Sequence, residues 1–252
     1  MVKIYSQEQV AKIKQSGRIL ARILKILKNE AKIGISLKYL DNLAFRLAKE
    51  SGAEPAFFNY QPDGAEYPYM ASVCTSLNNV IVHGFPTDYK LVSGDVLKID
   101  FGIKYKGYYS DSAATIIIGK SSPVAKNLSR ATQKALEEAI KIAKPGSHLG
   151  DIGWAIEKTA KKYKVRVIKG LTGHGVGLNL HEDPIIYNYG NKGEGLELKA
   201  GMVLAIEPMF SVGTNDTIQL RDESWATRDN SLSAHFEHTI AITEKGSEIL
   251  TK

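Results

Sequence analysis

Apolar residues recur at helical spacing from Ser6 to Asn29, at Val10, Ile13, Ile19, Leu20, Ile23, Leu24 and Leu27. That periodicity predicts an amphipathic helix, with Ser6 as its cap and Glu8 in the first turn. Gly34 breaks the pattern, and Ser36 opens a second helix through Leu37, Leu40, Leu43, Ala44 and Leu47 to Gly52. Residues 53–70 mix Pro and Gly with Phe57, Phe58, Tyr60, Tyr67 and Tyr69. They read as a loop, either a binding wall or an aromatic cover stapled to the core. Two short strands follow around Asn78-Asn79, ending at His83-Gly84. Beyond them, β-branched and aromatic residues flank Lys106-Gly107 in a hairpin pattern carrying Asp100 and Asp111.

The order then repeats. Ser121-Ser122-Pro123 punctuates the chain, and helices are predicted over 127–143 and 149–163, separated by Pro145-Gly146. The stretches 201–208 and 234–242 read as strands, and each places a glutamate, Glu207 or Glu237, among apolar neighbours. Helix, helix and acidic strands thus occur twice, over about 6–118 and 125–243, without a linker between them. The expected fold class is α+β, a single domain over 1–252 made of two similar halves.

The hairpin raises the first chemical question. If it closes at Tyr105-Lys106, Asp100 faces Asp111; a register shifted by two leaves them diagonal on one face. Either way two like charges meet beside Val96, Ile99, Phe101 and Ile116, and burial worsens the repulsion. A bound metal, a shared proton or a buried Lys or Arg would relieve it.

Composition narrows the class. The chain has 252 residues, 43% hydrophobic and 24% charged, as an ordinary globular protein does. Its net charge of +6 is spread rather than gathered into an arm, which is compatible with an RNA-rich neighbourhood but gives no specific nucleic-acid site. The single cysteine, Cys74, excludes an internal disulfide and favours a reducing compartment. The N-terminal stretch lacks the apolar core of a signal peptide and no run approaches a membrane span, so the expected location is cytoplasmic.

The remaining polar motifs shift the balance toward metal. Gly173-His-Gly-Val-Gly and Leu180-His-Glu-Asp-Pro set His174 and His181 in a glycine-rich segment that lacks the Walker lysine and the dinucleotide-binding spacing. Taken singly, Asp100, Asp111, Glu207 and Glu237 read as satisfied structural acids. Together they carry about −4 charge, close to what two divalent cations and one hydroxide neutralise, and with an imidazole they suit Mn, Fe, Co or Zn.

The ordered set His83, Asp100, Asp111, His174, His181, Glu207 and Glu237 stands within Val-His-Gly, Lys-Ile-Asp-Phe-Gly, Ser-Asp-Ser-Ala, Gly-His-Gly-Val-Gly, Leu-His-Glu-Asp-Pro, Ile-Glu-Pro and Phe-Glu-His-Thr. It closely resembles the type I methionine aminopeptidases over essentially the whole chain. The resemblance implies a duplicated pita-bread fold, an antiparallel sheet with helices on its outer face. It implies two divalent ions held by Asp100, Asp111, His174, Glu207 and Glu237, with Asp111 and Glu237 bridging both. A hydroxide between the ions would attack the first peptide bond of a nascent polypeptide and release initiator methionine ahead of a small second residue. Glu207 would be the general base, His181 would hold the oxyanion, and His83 would hydrogen-bond the scissile nitrogen. Cys74, Tyr69, Tyr60, His83, His181 and Trp225 would contact the substrate. The carbonyls of Asn78, Val80 and Ser233 would hold one monovalent cation, Na or K. The expected protein is a monomer that meets the ribosome transiently.

Two rivals share the fold. Xaa-Pro aminopeptidases and prolidases carry the same five ligands but generally a large extra N-terminal domain. A binding protein of this fold has a degraded ligand set, whereas all five positions are intact here.

Overall fold

Serine hydroxyls start three of the four helices found among the described residues, which are 1–61 and 64–252 of this computed structural model. Ser6 caps α1 (Gln7–Glu30) by accepting from Gln9 N, and the Gln9 side chain returns to Ser6 N at 3.0 Å, so Gln9 rather than Glu8 completes the capping box. Ser36 caps α2 (Leu37–Glu50) in the same way. The third helix, α3 (Pro123–Ile142), begins earlier than its apolar pattern suggests. Ser122 accepts from Ala125 N at 3.1 Å, and Pro123 takes the first helical position, where a missing N–H costs nothing. The fourth, α4 (Leu149–Tyr163), matches its expected range, with the Asp151 carboxylate accepting from His148 N at 2.7 Å.

Every strand pairing is antiparallel. Val96–Tyr105 pairs with Glu54–Pro55, Cys74–Leu77 and Tyr108–Ile117. The stretch read as an aromatic loop therefore contributes a short strand and an isolated bridge between Tyr60 and Tyr69; its positions 62–63 lie outside the described residues. A second sheet orders Gly246–Ile249, His238–Thr243, Val203–Ile206, Thr172–Gly175 and Glu182–Tyr187. Two three-stranded sheets complete the set.

The hairpin register settles how its acids meet. Pairing runs from Val96 with Ile117 to Tyr105 with Tyr108, so the turn is Lys106-Gly107, both at positive φ (49° and 84°). Two successive left-handed residues match the strand twist, which favours this turn over one closing at Tyr105-Lys106. Asp100 consequently lies opposite Ala113, and Asp111 opposite Gly102. The two acids are diagonal neighbours on one face, not a directly opposed pair.

Alternation along Val96–Tyr105 divides its side chains between two environments. Leu97, Ile99, Phe101 and Ile103 join a core with Leu20, Ile23 and Leu27 of α1 and Leu40 of α2. Lys98, Asp100 and Gly102 belong to the opposite face. A second core unites Leu128 and Leu136 of α3 and Ile152 and Ile156 of α4 with Leu204, Ile206, Ile240 and Ile242 of the five-stranded sheet.

The two glutamate segments are not continuous strands. Val203–Ile206 and Met209–Ser211 end on either side of Glu207-Pro208, and Ser233–His235 and His238–Thr243 on either side of Phe236-Glu237. Each segment passes from one sheet to another at its glutamate. Pro208 has no N–H for a ladder, and Glu237 N is diverted to Ala113 O at 2.9 Å. Further bonds tie the hairpin to this second segment. Thr239 Oγ1 accepts from Asp111 N (3.0 Å) and donates to Asp111 O (2.8 Å), and Ser112 Oγ donates to Glu237 O (2.8 Å).

No helix among the described residues is long and apolar enough to cross a membrane.

Gly17, inside α1, shows how closely the chain end is held. A Cβ there would lie 2.3 Å from the Leu250 carbonyl oxygen, a main-chain atom without a side chain's freedom to turn away. Helix propensity favours alanine over glycine by about 1 kcal/mol, whereas overpacking of this kind costs about 1–3 kcal/mol. Gly17→Ala is therefore expected to lower the thermal midpoint; a raised midpoint in thermal denaturation would contradict the contact.

Candidate metal centre

Four carboxylates from three stretches of chain converge in the interior: Asp100 and Asp111 from the hairpin, Glu207 and Glu237 from the two strand breaks, all buried. Their ligand atoms fall into overlapping groups within 4.8 Å. Asp100, Asp111 and Glu237 form one; His174, Glu207 and Glu237 form another; Asp111, His174 and His181 form a third. Glu237 belongs to the first two, and Asp111 to the first and third. All five residues expected as ligands are thus brought together, with His181 at their margin.

The donor chemistry fits divalent cations. Asp100 Oδ1 and Glu237 Oε1 are buried without a hydrogen-bond partner among the described residues, an expensive condition for a carboxylate unless an ion takes the lone pairs. Burial pushes all four acids above the ordinary carboxylate range. For Asp111 and Glu237, the charges of the other acids raise them further. Among the described residues, no lysine or arginine forms an ion pair with any of the four; the cationic candidates touching them are His174 and His235, both on Glu207. The His174 ring meets the Gly175 carbonyl through Nδ1 at 2.9 Å. Since a carbonyl can only accept, Nδ1 carries a proton, which leaves Nε2, 3.6 Å from Glu207 Oε1, as the ring nitrogen turned toward the acids.

His181 stands beside His174, ring centroids 4.5 Å apart, and its Nδ1 is 2.8 Å from the Tyr60 hydroxyl. Its imidazolium is pushed down to about 3, by burial first and then by His174 and His83. His83 follows Val80–Val82 at a φ of 60°, an uncommon conformation for a residue other than glycine. The next residue is Gly84, whose backbone packs so closely on the Cys74–Leu77 strand that a Cβ would meet Ser76 Cα and Thr75 O at 2.7 Å. The His83 ring is exposed, yet the surrounding protein and then His235 push its imidazolium down to about 4.

An apolar cluster adjoins this centre. Cys74, Ala56, Phe57 and Leu180 pack together with Tyr60, Tyr69 and Tyr109 around them. Cys74 is the register partner of Asp100, so the cluster backs directly onto the acids. Gly102 lets it pack this closely on the strand, because a Cβ there would lie 2.8 Å from Phe57 and 3.2 Å from Leu180. Burial raises the Cys74 thiol well above its ordinary value, leaving it a small neutral hydrophobe. Trp225 is elsewhere. It pairs with Val82 and packs with Ile81, Ile168 and Met209, one residue from His83 but outside the Cys74 cluster.

Two polar residues of this region carry no distinct signal of their own in the sequence. His235 is 1% exposed, with Nε2 at 3.3 Å from Glu207 Oε2 and no hydrogen bond to either ring nitrogen among the described residues. Its position two before Glu237 is the one available clue, since alternate residues share a strand face. Lys98 is also 1% exposed and donates to Asn78 O at 2.8 Å. Burial pushes its amine below the ordinary lysine value, while the carbonyl oxygen aimed at Nζ favours the protonated form.

Known proteins share this arrangement. Residues 11–244 match the family model of metallopeptidase family M24. A methionine aminopeptidase from Aquifex aeolicus is 44% identical over 100% of this chain and 99% of that protein. The crystal structure of methionine aminopeptidase from Rickettsia prowazekii superposes with a TM-score of 0.95 at 37% identity, covering 100% of both chains. The prolidase from Pyrococcus horikoshii OT3 superposes at a TM-score of 0.79 and 25% identity, covering 99% of this chain but 63% of that one. The fold is therefore the pita-bread fold, with antiparallel sheets backed by helices, and the chain belongs to metallopeptidase family M24.

Proposed function

We propose that this chain is a type I methionine aminopeptidase, removing the initiator methionine from the N-termini of nascent polypeptides when a small residue follows. The observation that carries the reading is the pair of ligand groups sharing Glu237, set against an apolar cluster whose Cys74 pairs with Asp100. Full-length likeness to proteins named methionine aminopeptidase supports it, and the lower identity and TM-score against the prolidase favour it over the Xaa-Pro alternative.

Asp100, Asp111, His174, Glu207 and Glu237 would hold two divalent ions, Mn, Fe, Co or Zn, with Asp111 and Glu237 shared between them. When bound, such ions supply acidification of water and polarisation of the scissile carbonyl. The protein's own groups do the rest. The methionine side chain enters the cluster of Cys74, Tyr69 and Tyr60, which sets the substrate's free amine toward Asp100 and limits cleavage to the first residue. Glu207 takes the proton from water and delivers it to the departing amine. His83 hydrogen-bonds the scissile nitrogen, and His181 donates to the developing oxyanion. Trp225, beside His83, lines the outer approach. The chain acts as one catalytic domain of two similar halves, 6–118 and 125–243, which two helix-backed cores support. The reading places it in the cytoplasm as a monomer in transient contact with the ribosome.

Release of methionine from Met-Ala-Ser by chelated and then metal-reconstituted protein tests the activity. Metal-dependent release that falls sharply for Met-Leu-Ser is expected; cleavage of Ala-Pro-Ala alone would move the chain to the prolidase branch.

Asp111→Asn removes one shared anion and is expected to abolish release even at saturating metal. His83→Ala should keep its metal content and lose about 10²–10⁴-fold in turnover. Metal analysis of the His83 variant decides, since loss of bound metal would make His83 a ligand.

The raised acids also predict proton release. Asp100 and Glu207, pushed up to about 7, hold protons in the metal-free protein near neutrality that carboxylates of ordinary pKa would already have lost. Bound metal requires the deprotonated forms, so metal uptake should release protons, more at pH 6 than at pH 8, and affinity should rise with pH. Calorimetric titration in buffers of different ionisation enthalpy measures this; uptake without proton release near pH 6 would show acids of ordinary pKa.

A further inference from the structure

The resemblance implies a monovalent cation on the carbonyls of Asn78, Val80 and Ser233, and the structure disagrees. Lys98 Nζ donates to Asn78 O at 2.8 Å and to Val96 O at 3.4 Å. Ser233 occupies the remaining directions: its N–H donates to Asn78 O at 3.0 Å, and its hydroxyl lies 3.1 Å from both Asn78 O and Val80 O. Asn78 O is therefore met by an ammonium, a main-chain N–H and a hydroxyl at once. A Na or K ion on that oxygen would sit in contact with the ammonium, two cations sharing one ligand in a buried site.

We infer that Lys98 is a tethered replacement for the monovalent cation, and that this protein needs neither Na nor K. The reach of the side chain makes the substitution possible. Lys98 shares the face of Asp100 on Val96–Tyr105, while Asn78 is in the turn after Cys74–Leu77 at a φ of 51°, and Asn78 N donates to Val96 O at 2.8 Å. The four-carbon stem crosses between them and is fully buried. The ammonium thus joins the strand carrying Asp100 to the turn on which Ser233 is also anchored, and Ser233 begins the segment leading through His235 to Glu237. An ion would make the same junction by being bound; a covalent side chain makes it at any salt composition. Lys98 acts here as a positioning residue, and the inference does not depend on which peptide the enzyme cleaves.

The test is thermal denaturation of the full metal-loaded chain in potassium, sodium or N-methylglucamine chloride at equal ionic strength. The unaltered protein is expected to show one midpoint in all three salts. Lys98→Ser, which vacates the ammonium position and leaves the carbonyls, is expected to melt lower in N-methylglucamine and to recover by about 4 °C or more in potassium or sodium. Lys98→Met, which keeps the stem and fills the space, should melt lower without recovery. A midpoint of the unaltered protein that rises specifically with sodium or potassium overturns the inference, as does a Lys98→Ser variant that no monovalent ion restores. Should Lys98→Ser fail to fold, sodium relaxation NMR on the unaltered protein decides: absence of saturable sodium binding supports the replacement, and saturable binding overturns it.

Discussion

Mutual repulsion among four buried carboxylates is the constraint on which the rest of this structure depends. Charges within 4.8 Å of one another repel by on the order of 3 kcal/mol per pair at an effective dielectric of about 20. Such a cluster persists only if the scaffold holds the acids in place and cations can offset them. The His174 ring nitrogen turned toward the acids and the unpartnered oxygens of Asp100 and Glu237 point to that remedy.

The scaffold answers the repulsion with neutral hydrogen bonds placed beside the acids. Thr239 closes on both main-chain groups of Asp111, Ser112 holds the carbonyl of Glu237, and Thr115 holds that of His235. These bonds join the hairpin to a distant part of the chain without spending the carboxylate oxygens. The strand breaks at Glu207 and Glu237 belong to the same solution. A residue in mid-strand has its side-chain direction set by the pleat, but one at a crossing between sheets can aim into the space between them.

Much of this was legible in the residues. Helical periodicity located the four helices and serines marked the starts of the first two, whereas Ser122 reads as punctuation until Pro123 is seen as the first helical residue. The acidic hairpin was legible as a hairpin, while its register was not, because Tyr105-Lys106 and Lys106-Gly107 differ only in which residues tolerate positive φ. Asp100, Asp111, Glu207 and Glu237 stood out because acids in apolar strands are conspicuous, and His174 because it stands in a glycine-rich segment. Lys98 and His235 did not. A lysine in a charged chain looks like surface until the strand's alternation is known to be buried on both faces, and His235 has meaning only through the distant Glu207 that it touches.

One strand shows how these demands combine. Along Val96–Tyr105 the odd positions fill the core under α1 and α2, so every even position is committed to the other face. Lys98 donates to main-chain carbonyls, Asp100 supplies a carboxylate to the acidic cluster, and Gly102 supplies only room, without which Phe57 and Leu180 could not pack against the strand. Three unlike chemistries two residues apart leave no freedom to slide the register. A slip of one would bury Ile99 and Phe101 against the acids and turn Asp100 into the helix core. The packing of the helices and the geometry of the site are therefore fixed by the same ladder of hydrogen bonds, and the site inherits the stability of the core on which it is built.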